Sequence, residues 1–317
     1  MLKSAAVAPP GPPGPPGPTG PIAQDTMTQS PSTGEQAAVS RSSWWAAAVL
    51  IVLLALLYYG VAIKLVKDWW NIPDYSHGLL IPFFVAFLVW DKRVALRATP
   101  LAPSWGGISL ILPGLFILMV GVFGADLFWA RTSFVVLVAG LIWLLLGKPM
   151  LGETKFLLFV FLLGVPLPVL IMNHITFPLQ LMASQLASSL LPLAGVPVLR
   201  EGNVIQLPSI QLEVAEACSG IRSLMSLFTV AVIFGYFMEP GFGRRTILAL
   251  ASIPIAVAAN AARIFGTGLC VQYWDPVKAL GFFHEFSGWL MFIVSLSCLY
   301  FVHTLMRVVK PYKGVAA

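Results

Sequence analysis

Charge is what this sequence has least of. Only 10% of its 317 residues are Asp, Glu, Lys or Arg, while 58% are hydrophobic. A soluble globular chain carries about 25% charged residues. So little charge cannot cover a water-facing surface on a chain of this length, which excludes a soluble globular protein. Cysteine is scarce too. Cys218, Cys270 and Cys298 are the three present, too few and too scattered for a disulfide framework or a zinc site. The few histidines and carboxylates lack metal-ligand spacing, so no cofactor is expected. No basic stripe with interleaved aromatics suggests a nucleic-acid groove, and no nucleic-acid partner is expected. No charged-then-apolar leader with a small-residue cleavage site opens the chain, so a cleaved signal peptide is not expected.

What the chain has in abundance is apolar length. Runs of about 20 residues recur, enough to cross about 30 Å of hydrocarbon. The partner implied is a lipid bilayer, and the fold class is an all-α membrane protein. Spans are predicted near 44–63, 78–90, 105–123, 132–147, 156–172, 219–238, 246–266 and 287–306. The net charge of +6 then reads as topology. Lys92, Arg93 and Arg97 follow the second span, and Lys148 and Lys155 separate the fourth from the fifth. Arg244 and Arg245 separate the sixth from the seventh, and Arg307, Lys310 and Lys313 follow the last. The positive-inside rule puts all of these in the cytoplasm. Eight spans with both termini inside satisfy every cluster; Lys64 and Lys67 are the exception, only partly offset by Asp68.

Residues 1–43 differ from the rest. "PPGPPGPPGPTGP" keeps glycine at every third place, but the run is far too short for a collagen triple helix. A disordered, Pro/Gly-rich cytoplasmic tail is expected there, and a short cytoplasmic tail over 311–317.

One segment decides the span count. "ITFPLQLMASQLASSLLPLAG" (175–195) is apolar enough to cross, but crossing would put Arg244 and Arg245 outside. Gln180, Ser184, Gln185, Ser188 and Ser189 recur about four apart, which predicts an amphipathic helix on the outer surface. A packed span with a polar stripe is the competing reading. The following "VPVLREGNVIQLPSIQLEVAEA" (196–217) reads as extended. Glu201-Gly202-Asn203 marks a turn, and Ile210, Leu212 and Val214 alternate with polar residues. A small outer β element is expected just before Cys218.

This topology puts three chemically distinctive residues at one leaflet. Cys218 lies at the outer end of the sixth span, Arg263 near the outer end of the seventh, and His284 just before the eighth. Antiparallel neighbours joined by short loops are usually adjacent, so the three can converge. A thiol attacks as thiolate, and its pKa falls beside a histidine, an arginine or a helix N-terminus. Cys218 is expected to start a helix, with Arg222 one turn on. A histidine protonates a leaving amine and deprotonates a second nucleophile. Arginine stays charged and holds a developing oxyanion.

Each residue also has a plainer reading. A cysteine in an apolar helix is commonly a small packed hydrophobe, the account expected for Cys270 and Cys298. Arg263 can be a snorkelling lipid anchor, although Asn260 one turn before it in an alanine-rich helix favours an interior face. Arg222 is either catalytic or structural. His77 in "DYSHGLL" and His174 also fall outside, so the residues alone leave the base open among three histidines. Glu216 and Glu285 are candidate orienting carboxylates. Three functions compete on this footing. One is a thiol transpeptidase or protease. Another is a transporter or channel, for which acidic residues at mid-membrane would be expected. The third is a membrane acyl- or glycosyltransferase linked to polysaccharide export, with Cys218 structural.

"EACSGIRSL", then "NAARI", then "HEFSGW" resemble the cysteine, arginine and histidine blocks of the exosortase/archaeosortase family of multi-pass membrane cysteine transpeptidases, in that family's order. "YSHGLLIP", the "PLP" at 166–168 and "GNVIQLP" also look familiar. The resemblance covers roughly 44–310, which it delimits as a polytopic membrane domain. It implies Cys218 as nucleophile, Arg263 as stabiliser of the intermediate and His284 as acid/base. Arg222, Glu216, Asn260 and His77 are the supporting candidates. It implies as substrates exported proteins with a C-terminal sorting tail: a short Pro-Glu-Pro-like motif, a transmembrane helix and a basic tail. It also implies a bacterial inner membrane, the site facing the periplasm, and a genetic link to exopolysaccharide.

Overall fold

Apolar side chains dominate most of the surface, and the backbone satisfies itself within helices, as hydrocarbon demands. The computed structural model describes residues 33–208, 210–213, 220–274 and 282–309, together with Gly11; side chains at 33–44, 46, 47, 213 and 282–285 are not described. The chain divides into residues 1–55 and 56–317. The first contributes the opening part of helix α1, Thr33–Asn71, and the second holds the site.

Among the described residues, six helical stretches are long and apolar enough to cross a membrane: Ala48–Asn71, Trp105–Phe123, Leu127–Leu146, Ile221–Met238, Phe242–Tyr273 and Phe286–Val309. They lie in α1 and in α4 (Ile108–Phe123), α5 (Leu127–Leu146), α8 (Ile221–Met238), α9 (Phe242–Tyr273) and α10 (Phe282–Val309). An all-α membrane protein is what the fold shows. The other two expected spans are shorter helices. α2 (Ile81–Asp91) has 11 residues, preceded by a 3₁₀ helix over Pro73–Leu80. α6 (Lys148–Leu163) has 16 residues, about 24 Å of rise. The "VPLP" that follows cannot continue a helix, because proline removes an amide donor. α3 (Arg93–Ala98) is a short connector. Asp68 pairs with the buried Arg131 of α5, rather than with Lys64 or Lys67 on its own helix.

The segment that decided the span count is helix α7, Val169–Leu190, followed by a 3₁₀ turn at Leu191–Ala194. It is not among the six, and its polar residues do not form one outward stripe. Gln180 and Ser184 are buried beside Thr176, whereas Gln185, Ser188 and Ser189 stay at least partly exposed. Phe177, Met182, Leu186 and Leu190 face out. Where the solvent is apolar, the polar atoms are the ones that seek partners inside. The Ser184 hydroxyl donates to the Gly202 carbonyl at 3.1 Å.

The extended region is a three-stranded antiparallel sheet in the order β1–β2–β3: Leu199–Glu201, Val204–Gln206 and Gln211–Glu213. Its first turn falls at Gly202-Asn203, as expected. Ile205, Leu207 and Leu212 pack against Ala183 and Ala187 of α7 and Ile264 and Val271 of α9. Val214 lies outside the described residues.

Below this layer α7, α8, α9 and α10 share a core of Met172, Leu224, Leu227, Leu248, Ala256 and Leu299. At the far end of that core a buried ion pair joins three helices. Glu239 accepts from Arg244 Nε at 2.8 Å and pairs with His303 Nδ1 at 2.7 Å. Arg244 also donates to the Met306 carbonyl at 2.6 Å. Cys270 packs on the sheet core, but Cys298 sits on the exposed face of α10, so packing accounts for only one of the two.

Candidate active site

α8, α9 and α10 run antiparallel, so the start of α8, the C-terminal half of α9 and the start of α10 meet at one end. Arg263 lies there, 9% exposed, with Asn260 at 5%. Burial this deep rules out a snorkelling anchor. A small cavity is lined by Ser223 of α8, Ala259, Asn260 and Arg263 of α9, and Gly288, Met291 and Ser295 of α10. A second cleft on the other side of Asn260 is lined by Leu179, Gly220, Leu224, Ala256 and Val257. α8, α9 and α10 meet around Asn260 and Arg263; of the three residues expected to converge, Arg263 alone has a described side chain.

Two glycines make the approach close. A Cβ on Gly288 would sit 3.4 Å from Arg263 Nη1. A Cβ on Gly220 would sit 2.9 Å from Asn260 Cγ, and Gly220 has φ +74°, a conformation that side chains resist. Gly220 is also the N-cap of α8, and no described side chain caps that helix. The positive end of the α8 dipole thus lies at Ile221, three residues along the chain from Cys218. Gly220→Ala should lower stability by about 1–2 kcal/mol from the left-handed backbone alone, and more from the Asn260 clash. Denaturation in detergent measures it. Gly152→Ala, where nothing lies within 4 Å of the new Cβ, should show no loss.

Cys218 and Glu216 lie outside the described residues, as do the side chains of His284 and Glu285. The chain that flanks them is described. Gly220 stands two residues after Cys218. His284 belongs to the first turn of α10, one turn before Gly288. One expectation needs correction. α8 starts at Ile221 rather than at Cys218, so Arg222 is not one turn along the same helix from the thiol. Arg222 instead pairs through Nε with Asp74 Oδ1 at 3.5 Å. That contact joins the first turn of α8 to the 3₁₀ helix Pro73–Leu80 and favours a structural role for Arg222.

The other histidines are placed elsewhere. His77 Nε2 lies 3.4 Å from the Leu163 carbonyl, at the end of α6, and does not line the Arg263 cavity. Burial holds its imidazole below the ordinary value, against the pull of hydrogen bonds to the Leu163 and Asp74 backbone. His174 Nδ1 contacts the Leu170 carbonyl of its own helix at 2.7 Å and is exposed.

Sequence reasoning missed Asp74 and Ser223. No signal marked either one, since their places follow from which helices pack together. Gly288 stood in the quoted "HEFSGW" without being singled out. No curated protein and no solved structure matches the chain. A family model described as transmembrane exosortase matches residues 69–301, a range that contains the whole α8–α9–α10 end. The chain belongs to the transmembrane exosortase family, and that membership supports a membrane transpeptidase or sorting function.

Proposed function

We propose that the protein is a membrane cysteine transpeptidase that cuts the C-terminal sorting tail from exported proteins. The observation that carries this reading is the packing of Gly220 on Asn260 and of Gly288 on Arg263. It brings the chain two residues beyond Cys218 to Asn260, and the chain one turn beyond His284 to Arg263, one turn along α9 from Asn260.

Cys218 attacks the scissile carbonyl as thiolate, and the carbonyl oxygen takes up negative charge. Arg263 stabilises that charge with a fork of fixed donors, worth more in a site shielded from water. Collapse of the intermediate breaks the C–N bond, and His284 gives its proton to the leaving amine. The thioester that remains is attacked by water or by an acceptor amine, whose proton passes to His284. This releases the product and restores the thiol. The substrates are exported proteins carrying a Pro-Glu-Pro-like motif, a transmembrane helix and a basic tail. Asn260 and Gly220 set the distance between the cysteine and arginine elements.

The protein sits in the bacterial inner membrane with both termini in the cytoplasm and the site facing out. Spacing along α9 supports this: eighteen residues separate Arg245 from Arg263. That is about 27 Å of helix, close to one hydrocarbon thickness. The basic end and the site therefore occupy opposite boundaries. Residues 1–40 are dispensable to processing, ahead of the membrane domain 44–310, although helix α1 already begins at Thr33 within the Pro/Gly-rich tail. Reporter fusions should read cytoplasmic after Pro240 and exterior after Gln211. In intact spheroplasts a thiol reagent that cannot cross the membrane should label Cys218 and stop processing. An exterior signal after Pro240 would overturn both the topology and the site.

A further inference from the structure

Among the described residues, the sheet that precedes Cys218 has an unpaired edge with a specific hydrogen-bonding pattern. In antiparallel pairing, hydrogen-bonded and non-hydrogen-bonded residue pairs alternate. Leu207 and Ile210 close the β2–β3 turn, where the Leu207 amide donates to the Ile210 carbonyl at 2.9 Å. Counting from there, Ile205–Leu212 is a hydrogen-bonded pair, while Gln206–Gln211 and Val204–Glu213 are not. The β1–β2 turn gives the same phase. Glu201 and Val204 close it, so Val204 and Gln206 turn their backbone groups to β1 and Ile205 turns its own to β3. On β3, then, Leu212 faces β2. The backbone N–H and C=O of Gln211 and Glu213 point away from the sheet, and among the described residues β3 pairs with β2 alone.

The inner face fixes where this edge lies. Leu212 packs in the cluster that holds Ile264, the residue after Arg263. Beyond Glu213 the chain reaches Cys218 in five residues. Two outward amide–carbonyl sets, spaced by two residues, are what a strand added to a sheet uses. They recognise an extended backbone whatever its side chains, and they sit beside the turn of α9 that carries Arg263.

We propose that the β3 edge takes an extended segment of the substrate polypeptide as a fourth strand. Gln211 and Glu213 hold it by their backbone and aim its scissile carbonyl at Cys218. The inference rests on Cys218 being the nucleophile. The test uses the full chain in nanodiscs and a fluorescent peptide bearing a Pro-Glu-Pro-like motif, with single N-methyl amides walked along the flanking residues. Binding is measured on Cys218→Ala protein. N-methylation should weaken binding about three- to tenfold at every second residue, as each lost hydrogen bond predicts, and leave the residues between unaffected. In the intact enzyme Gln211→Pro removes an outward amide without breaking a ladder bond. It should raise KM about three- to tenfold with kcat little changed. Gly152→Ala, away from the edge and with nothing within 4 Å of the new Cβ, should match the parent, and a small thiol reagent should label Cys218 equally in all three. A uniform effect along the peptide, or none, overturns the proposal, and the peptide walk needs no protein variant that might misfold. A photo-crosslinker at 211 that joins two copies of the chain instead of the peptide also overturns it. Cleavage of the peptide by Cys218→Ala protein would instead remove the nucleophile assignment, and the alternating pattern would still report the edge.

Discussion

Cys218→Ala protein should insert and accumulate normally while its substrate stays full-length, with the C-terminal helix uncut. Removing the nucleophile of a covalent mechanism costs on the order of 10⁴-fold or more, because the remaining groups act on an attack that no longer occurs. Cys218→Ser should be nearly as inactive. A site that stabilises a thiolate does not ionise a hydroxyl, which titrates far higher. The start of α8 at Ile221, three residues after Cys218, is the structural reason for expecting a thiolate, since a helix dipole favours negative charge beside its first turn. Immunoblots of substrate length, normalised to the abundance of each variant, measure the effect. Normal processing by a stably inserted Cys218→Ala protein would end the thiol mechanism and leave a transporter or another transferase in its place.

The sequence marked this end of the bundle for physical reasons, and the same reasons explain what it hid. Long apolar runs are legible because hydrocarbon thickness fixes their length, and α4, α5, α8, α9 and α10 follow. The β element was legible from a Gly-Asn turn and from alternation at Ile210–Leu212, whose pattern the sheet keeps: half-buried, exposed, buried. Helical periodicity showed that α7 has polar residues at regular spacing, but periodicity does not say which way a face points. Gln180 and Ser184 turn inward because their partners are inside, the reverse of a helix bathed in water. The start of α8 was misjudged by three residues. A left-handed glycine opens that helix, and Ser219-Gly220 suggested flexibility without fixing a boundary. Pairs such as Asp74–Arg222 and Asp68–Arg131 were not legible at all, since each joins helices distant in sequence. Arg263 was legible because a cation inside an alanine-rich helix is costly in hydrocarbon, and it persists where something uses or pairs it.

Arg263→Lys should lose about 10²–10³-fold in kcat, the usual effect of removing an oxyanion donor, with a smaller change in KM. The substitution keeps the charge, so a loss that large identifies geometry as the missing element. A guanidinium presents a planar fork, whereas an ammonium is a point charge on a flexible stem. Here Gly288 of α10 lies against Nη1, which sets the fork where α10 meets α9. A lysine in the same cavity would have no wall to align it. Arg263→Gln should be equally impaired while preserving volume. Comparing the two separates lost charge from lost shape. Both variants must unfold in detergent close to the parent and keep Cys218 reactive to a small thiol reagent, which shows that the α8–α9 packing survives. If Arg263→Lys retains parental kcat, the arginine serves packing alone, and the oxyanion must be held by the first-turn amides of α8 instead.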